Sequence, residues 1–268
     1  MEKYTLITGG ASGLGLELAK LFAKNGNNLF LVSSNPENLD KAKNKLQEEY
    51  KIKVETLALD LSNPDNFKKV KDYSDKHEMF VSNLVNCAGF GDRTDFIDMD
   101  IDKQLKMVEL NCNAPMYLMH AYLKDRVNAK EGHILNISSI AAFVPGPYMV
   151  TYHASKAFLS NLSQGIEREL KGTGVKLTTV CPGPFESGFV AKAGNEYTFS
   201  KIKPISASKV AEISYKACMK NKSFVVIGFK NKLMMFLTRF APRKFVINTS
   251  ASQIKKKWQI IAYLLFKK

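Results

Sequence analysis

Tyr152 and Lys156 lie four residues apart in Tyr152-His153-Ala154-Ser155-Lys156, at the start of a stretch that reads as a helix. Positions i and i+4 share a helical face, so a phenol and an ammonium here point into one site. A free tyrosine ionises near ~10 and is a poor acid or base at neutral pH, but an adjacent cation stabilises the phenolate and brings it toward the working range. Lys156 is the candidate cation. Apolar residues at Ala157, Phe158, Leu162, Ile166 and Leu170 continue the helix along one side and would hold both groups on a rigid element. A Tyr and a Lys at this spacing describe an amphipathic helix edge equally well, so the pair gains its meaning from other stretches.

A β-rich run from Tyr4 to Thr8 leads into Gly9-Gly10-Ala11-Ser12-Gly13-Leu14-Gly15. A helical pattern follows through Leu16, Leu18, Ala19, Leu21, Phe22 and Ala23, ending at Asn25-Gly26. Strand, glycine-rich turn and helix in this order make a phosphate site: glycines let backbone N–H groups approach the ligand, and the helix N-terminus adds a favourable field. The spacing T-G-x-x-x-G-x-G is neither G-x-G-x-x-G nor the Walker A loop, which needs Gly-Lys-Ser/Thr. A glycine turn without a ligand is the alternative, and the strand-to-helix context favours a nucleotide. The second strand, Asn28 to Val32, ends at Ser33-Ser34-Asn35-Pro36, where an acidic residue would bond the adenosine ribose and select NAD. Neither serine is acidic, which favours NADP over NAD, although no arginine stands there to clamp the extra phosphate.

The alternation continues along the chain. A helix from Glu37 to Tyr50 precedes a third strand, Val54 to Leu59, ending in Asp60-Leu61. Asp60 lies where parallel sheets bind ligands and would accept a bond from an adenine amino group; with Ser62 and Asn63 ahead of Pro64, a helix-capping role reads equally well. A helix from Asp65 to Lys76 leads to a fourth strand, Val81 to Val85, ending in Asn86-Cys87-Ala88-Gly89, whose small residues permit close approach. The helical segment from Ile101 to about Arg126 contains Asn111 and Pro115, both unfavourable inside a helix, so either it kinks or two helices meet there. Gly132 to Asn136 reads as a fifth strand. Ser138 and Ser139 follow it, as part of a surface loop or as hydroxyls that position substrate. Val175 to Val180 leads to Pro182-Gly183 and Ser187, and the aperiodic region from Gly188 to Pro204 is long enough for a substrate lid. A helix from Ala207 to Met219 and a strand from Phe224 to Ile227 complete the series. Strands and helices alternating in this way imply an α/β protein with a doubly wound parallel sheet of about seven strands, one domain over residues 1–228, with the marked residues at strand C-termini.

With 268 residues, 45% of them hydrophobic, the chain can bury one substantial core. Cys87, Cys112, Cys181 and Cys218 are far apart and form no C-x-x-C, and the four histidines are scattered without H-E-x-x-H. They read as reduced core thiols, with no metal site expected. The apolar run at the N-terminus is too short for a signal peptide, and no stretch of ~20 apolar residues spans a membrane, so a soluble cytoplasmic protein is expected.

The net charge of +14 is unevenly placed: residues 230–268 carry ten Lys or Arg and no Asp or Glu, leaving +4 for the rest. In this extension, residues 229–268, the apolar clusters Leu233 to Leu237 and Trp258 to Phe266 are flanked by basic residues. The pattern suits peripheral contact with an anionic membrane surface, and equally an extension packed on a neighbouring subunit or on the substrate cleft with a solvated basic face. One Trp and the triplet Lys255-Lys256-Lys257 do not make a nucleic-acid module.

Taken in order, these residues resemble the short-chain dehydrogenase/reductase family from Tyr4 to about Ile227. Thr8 to Gly15 resembles its cofactor loop, and Asn86-Cys87-Ala88-Gly89 its N-N-A-G motif with cysteine in second place. Asn111, Ser139, Tyr152 and Lys156 fall in the order of its catalytic tetrad, the interval to Tyr152 selecting Ser139 over Ser138. Pro182-Gly183 with Ser187 resembles P-G-x-x-x-T with serine for threonine.

The resemblance implies a Rossmann-like sheet of order 3-2-1-4-5-6-7 and a homo-oligomer, dimer or tetramer, through the helices of Asn111 and Tyr152. It also implies hydride transfer between a nicotinamide and a small-molecule carbonyl or secondary alcohol. Tyr152 would protonate the developing alkoxide and Ser139 would hydrogen-bond the same oxygen. Lys156 would lower the phenol pKa and bind the nicotinamide ribose, while Asn111 would hold a water that relays protons to Lys156. The NADP contacts implied are Gly9, Ser12, Gly13, Leu14, Gly15, Ser33, Ser34, Asp60, Leu61, Asn86, Ala88, Gly89, Tyr152, Lys156, Pro182, Gly183 and Ser187. Within the family the chain looks most like bacterial acyl or ketone reductases. Phe143 to Val150 and Phe185 to Phe199 are apolar enough for a lipid-like or aromatic ketone. The competing reading is a redox-sensing or membrane-surface protein that binds NADP without chemistry; it needs the glycine loop and has no use for Tyr152 and Lys156.

Overall fold

The computed structural model describes residues 1–186 and 204–254. Seven strands form one sheet in the order β3-β2-β1-β4-β5-β6-β7. They are β1 (Glu2–Thr8), β2 (Asn28–Ser33), β3 (Val54–Ala58), β4 (Met79–Asn86), β5 (His133–Ile137), β6 (Lys176–Cys181) and β7 (Phe224–Val226), and all neighbours pair in parallel. The helices are α1 (Gly13–Lys24), α2 (Pro36–Tyr50), α3 (Phe67–Lys76), α4 (Ile101–Val108), α5 (Ala114–Ala129), α6 (Val150–Glu169), α7 (Ala207–Met219), α8 (Phe229–Leu237) and α9 (Arg243–Ile254).

Parallel strands are covered on both faces, which is why Leu29 to Val32 of β2 reads as a continuous apolar run. Successive side chains alternate between two cores. Leu29 and Leu31 of β2 join Leu18 and Phe22 of α1, Leu39 and Leu46 of α2 and Val210 of α7, whereas Phe30 and Val32 join Val70 of α3 and Leu118 and Tyr122 of α5. The strand order reverses between β1 and β4, and a ligand crevice forms beyond the C-terminal ends of the strands at such a point.

Asn111 sits in a π-helical turn, Glu109–Asn113, that links α4 and α5 without breaking the chain's helical course. The expected kink or helix junction is therefore an inserted wide turn, and Pro115 falls in the first turn of α5, where a missing N–H is tolerated.

Beyond the last strand the chain folds back over the crevice. α8 packs against the 3₁₀ turn Ile140–Phe143, and the Asn231 amide donates to the Ile227 carbonyl at 2.7 Å. The Arg93 guanidinium donates to the Ile254 carbonyl at the end of α9. Of the placements considered for the extension, residues 229–254 adopt the one over the cleft. Ser187, most of the expected lid, the Lys255–Lys257 triplet and the Trp258–Phe266 cluster lie outside the described residues. Among the described residues no helix is long and apolar enough to cross a membrane.

Candidate active site

A cleft of about 2170 Å³ opens at the C-terminal ends of the central strands. Its nucleotide end is built by the turn after β1. Thr8 Oγ1 accepts the backbone N–H groups of Cys87 and Ala88, each at 3.1 Å, and so stitches the ends of β1 and β4 together. Gly9 has φ +68°, and a Cβ there would stand 3.1 Å from the Ala88 Cα; a Cβ on Gly15 would stand 2.1 Å from the Gly9 carbonyl oxygen. Only glycine permits a turn this tight. Ser12, the N-cap of α1, spends no side-chain bond on the helix, and the first turn carries no acid. Ser12, Gly13, Leu14 and Gly15 line the cleft, so the positive end of α1 faces it.

Ser33, Ser34 and Asn38 line the next part of the wall, with no carboxylate at the end of β2. The Asn35 side chain is committed to capping α2, accepting the Asn38 N–H at 2.8 Å. Asp60 and Leu61 also line the cleft. Asp60 Oδ1 accepts the Ser62 N–H at 2.9 Å and the Ser62 hydroxyl at 2.8 Å, while the cap of the 3₁₀ turn at Pro64–Asn66 is Asn63, which accepts the Asp65 N–H at 3.0 Å. The capping alternative thus belongs to Asn63.

One expected contact is corrected here. Asn86 does not line the cleft: its side chain is buried and donates to Asn136 Oδ1 at 2.8 Å, because the two are register partners on β4 and β5 and share one face of the sheet. Ala88 and Gly89, beyond the strand, do line it.

The chemical end is assembled from four elements. The Asn111 amide, 1% exposed, accepts the Phe90 N–H at 3.2 Å and donates to the Phe90 carbonyl at 2.9 Å and the Ser155 hydroxyl at 3.0 Å. These bonds tie the π turn to α6 and to the segment after β4. A Cβ on Gly89 would stand 2.9 Å from Asn111 Oδ1 and 3.5 Å from Lys156 Nζ, which places amide and ammonium side by side.

The two serines divide their work. Both line the cleft, but Ser138 commits its hydroxyl to the Lys156 carbonyl at 3.0 Å, whereas Ser139 hydrogen-bonds the Tyr152 phenol. Lys156 Nζ lies 5.8 Å from the centre of the Tyr152 ring and donates to the Ile137 carbonyl at 3.0 Å.

Whatever Lys156 contributes to the phenolate, burial outweighs it here. Burial pushes the phenol up to about 12, opposed by the Ser139 hydrogen bond and assisted by Cys181. Burial also lowers the Lys156 pKa, with Cys87, Cys112 and Cys181 acting the other way. Those thiols are themselves pushed up by burial, Cys87 and Cys181 to about 12 and Cys112 to about 11, so they surround the ammonium as neutral groups. All four cysteines are free.

Pro182 and Gly183 line the cleft beside Ser139, with the Pro182 carbonyl accepting the Ile140 N–H at 3.0 Å, and a Cβ on Gly183 would stand 2.5 Å from the Asn231 amide nitrogen. The extension thus closes on the glycine of the Pro-Gly pair. Sequence reasoning missed Asn231, Phe90 and His153, which also line the site. His153 Nδ1 meets the Val144 carbonyl at 2.8 Å and leaves no space for a side chain on Gly146, fixing the loop of Val144 and Met149 that forms the substrate wall. The Pro-Gly-Pro at 145–147 was the signal for such a packed loop.

Comparison with known proteins agrees with this architecture. The family model described as short chain dehydrogenase matches residues 3–198. An uncharacterized oxidoreductase of Staphylococcus saprophyticus is 29% identical over 182 residues, 68% of this chain and 78% of that protein. A second, from Staphylococcus aureus, is 27% identical over 79% of this chain and 88% of its own length. Among solved structures, a short-chain dehydrogenase from Sphingobium yanoikuyae in complex with NADPH superposes with a TM-score of 0.79 at 25% identity, covering 91% of this chain and 97% of that one. A 7beta-hydroxysteroid dehydrogenase shares the fold, with a TM-score of 0.83 at 19% identity over 92% and 96% of the two chains. With the seven-strand parallel sheet and the tight glycine turn of β1 and α1, the matched span establishes that this chain is an oxidoreductase of the short-chain dehydrogenase/reductase family.

Proposed function

We propose that the chain is an NADP-dependent reductase of a ketone or 3-oxoacyl-type compound, with residues 1–228 as the catalytic unit and residues 229–268 as a basic, partly apolar extension, of which residues 229–254 wall the cleft. The carrying observation is the Tyr152 phenol, hydrogen-bonded to Ser139 and beside the buried Lys156, on the wall of a cleft whose other end is a tight glycine turn. The cradle suits a dinucleotide: a side chain at Gly9 or Gly15 would fill it, and the helix end behind it is free of acids.

Gly9, Ser12, Gly13, Leu14 and Gly15 would hold the pyrophosphate. Ser33 and Ser34 would receive the ribose phosphate at an edge with no carboxylate to repel it, Asp60 and Leu61 would border the adenine, and Ala88, Gly89, Pro182, Gly183 and Ser187 would flank the rest. The NADPH complex of the Sphingobium yanoikuyae relative supports NADP over NAD. When bound, the nicotinamide supplies or accepts the hydride.

The protein's part is to hold the carbonyl oxygen and to move a proton. Ser139 and Tyr152 converge on that oxygen, and Tyr152, protonated at neutral pH with a pKa of about 12, gives its proton to the developing alkoxide. Lys156 provides the cation near the phenolate left behind and would bind the nicotinamide ribose, and Asn111 holds the geometry through Phe90 and Ser155. Met149, Val144 and Phe185 give the substrate pocket an apolar wall.

The test is titration of the purified protein with NADPH and with NADH, followed by fluorescence, and turnover of Tyr152→Phe. Tight binding of NADPH and weak binding of NADH, with turnover lost and NADPH affinity kept in Tyr152→Phe, is expected. Full turnover in the phenylalanine variant would refute the role of Tyr152, and preference for NADH would refute the cofactor assignment.

A further inference from the structure

We propose that α8 and α9 seat this protein on an anionic lipid surface, and that the compound reaching the cleft is a lipid-like carbonyl or alcohol arriving from that surface. The second part rests on the reductase reading above.

Leu233, Leu237 and Phe245 line the cleft, yet they are 47%, 54% and 64% exposed. A wall that merely closed the cleft would bury such side chains; these stand on its rim, so the mouth is apolar. Phe236 and Phe240, on the same helical stretch, do not line the cleft. They pack edge to face at 5.1 Å and are 53% and 73% exposed, so the apolar surface continues from the mouth onto the outer face.

Around this surface stand Lys230, Lys232, Arg239, Arg243 and Lys244, with no acidic residue from 229 to 268. None of the five enters an ion pair among the described residues. Exposed aromatics interleaved with unpaired cations on short helices match a headgroup interface, where rings enter the acyl boundary and the cations meet phosphates. A second copy of the chain is disfavoured by the same charges: a two-fold contact of α8 and α9 with themselves would set cations against cations, because residues 229–254 contain no Asp or Glu. Because mouth and patch are continuous, a compound dissolved in the lipid enters the cleft without crossing water.

The experiment is flotation of the full-length protein with phosphatidylcholine vesicles, alone or with about one third phosphatidylglycerol, at low and high salt. Binding only to the anionic vesicles, weakened by salt, is expected. Phe236→Ser/Phe240→Ser and Arg239→Glu/Arg243→Glu should each weaken it by about tenfold or more. Neither pair lines the cleft, so NADPH titrations of both should match wild type.

No flotation with anionic vesicles, or flotation indifferent to both variants, overturns the seat; if Phe236→Ser/Phe240→Ser instead converts a dimer to a monomer, the patch serves a second copy and the proposal is also overturned. Flotation without NADPH binding leaves the seat standing and overturns the reductase reading. The substrate part is read by NADPH consumption with methyl 3-oxobutanoate in solution and with a long-chain 3-oxo ester in the vesicles. Each ketone takes a hydride from NADPH at carbon and a proton at oxygen, yielding the 3-hydroxy ester and NADP. Turnover of the long-chain ester should rise when anionic vesicles are added, and the phenylalanine-pair variant should lose that rise. Equal turnover with and without vesicles overturns the lipid-borne substrate.

Discussion

Gly15 lies in the first turn of α1 with helical backbone, where alanine would ordinarily stabilise a helix by roughly 0.5–1 kcal/mol. Here the sign reverses. The added Cβ would stand 2.1 Å from the Gly9 oxygen, 2.7 Å from the Gly9 carbonyl carbon and 3.2 Å from the Gly10 Cα. Carbon and carbonyl oxygen approach to about 3.3 Å at closest, so the turn has to open by about 1 Å. Every obstructing atom is backbone, so no rotamer change relieves the contact. Overpacking of this kind costs about 1–3 kcal/mol, which outweighs the propensity gain and leaves Gly15→Ala folded but destabilised.

The same opening draws the turn's N–H groups away from a bound phosphate. Two hydrogen bonds to a charged group, at roughly 1.5–3 kcal/mol each, amount to at least a hundredfold in affinity. The matched control is Gly26, at the other end of α1, with φ +77° and nothing within 4 Å of an added Cβ. Gly26→Ala should cost about 1–2 kcal/mol through backbone strain and leave NADPH binding unchanged. NADPH fluorescence titration and thermal unfolding of the two variants separate the effects. A folded Gly15→Ala protein binding NADPH within about threefold of wild type would refute the turn as a phosphate cradle.

Asn111→Ala strands the Phe90 N–H and carbonyl and takes a donor from the Ser155 hydroxyl, which keeps its bond to the Tyr152 carbonyl, and should cost about 2–4 kcal/mol in urea denaturation together with a fall in turnover. Burial holds Tyr152 at about 12 and pushes Tyr122 higher still, whereas phenols of the unfolded chain ionise near ~10. The unfolded state therefore loses its protons first, and stability should be level below pH ~10 and fall as pH rises toward 12; thermal melts that stay level through this window would contradict the burial of these rings. Arg126 is fully buried, with one bond from Nε to the Ser82 carbonyl at 3.3 Å and no hydrogen-bond partner for Nη1 or Nη2 among the described residues. Arg126→Met should leave the unfolding midpoint unchanged or raise it, and a loss above about 2 kcal/mol would show that the contact of the guanidinium with the Tyr122 ring, 5.4 Å away, outweighs its desolvation.

The parts legible in the sequence are those whose signal is local. Gly9 and Gly15 mark the turn because only glycine meets its backbone demands, and the apolar run of β2 marks a strand buried on both faces. What stayed out of reach depends on direction. Asn86 belongs to a recognisable motif, yet the pleat sends its amide to Asn136, and nothing in the residue string distinguishes that from a ligand contact. Asn111 announced an irregular helix, but the choice of a π turn follows from its three bonds to Phe90 and Ser155, partners distant in sequence.

Tyr152 and Lys156 carry this argument furthest. Their spacing predicts a phenol acidified by a neighbouring cation, because spacing reports charge and separation. The sign of the shift is decided by desolvation, which spacing does not report. The ammonium stands 5.8 Å from the ring and donates to the Ile137 carbonyl, while burial withdraws the solvation a phenolate would need. Burial therefore keeps the proton on Tyr152 near neutral pH.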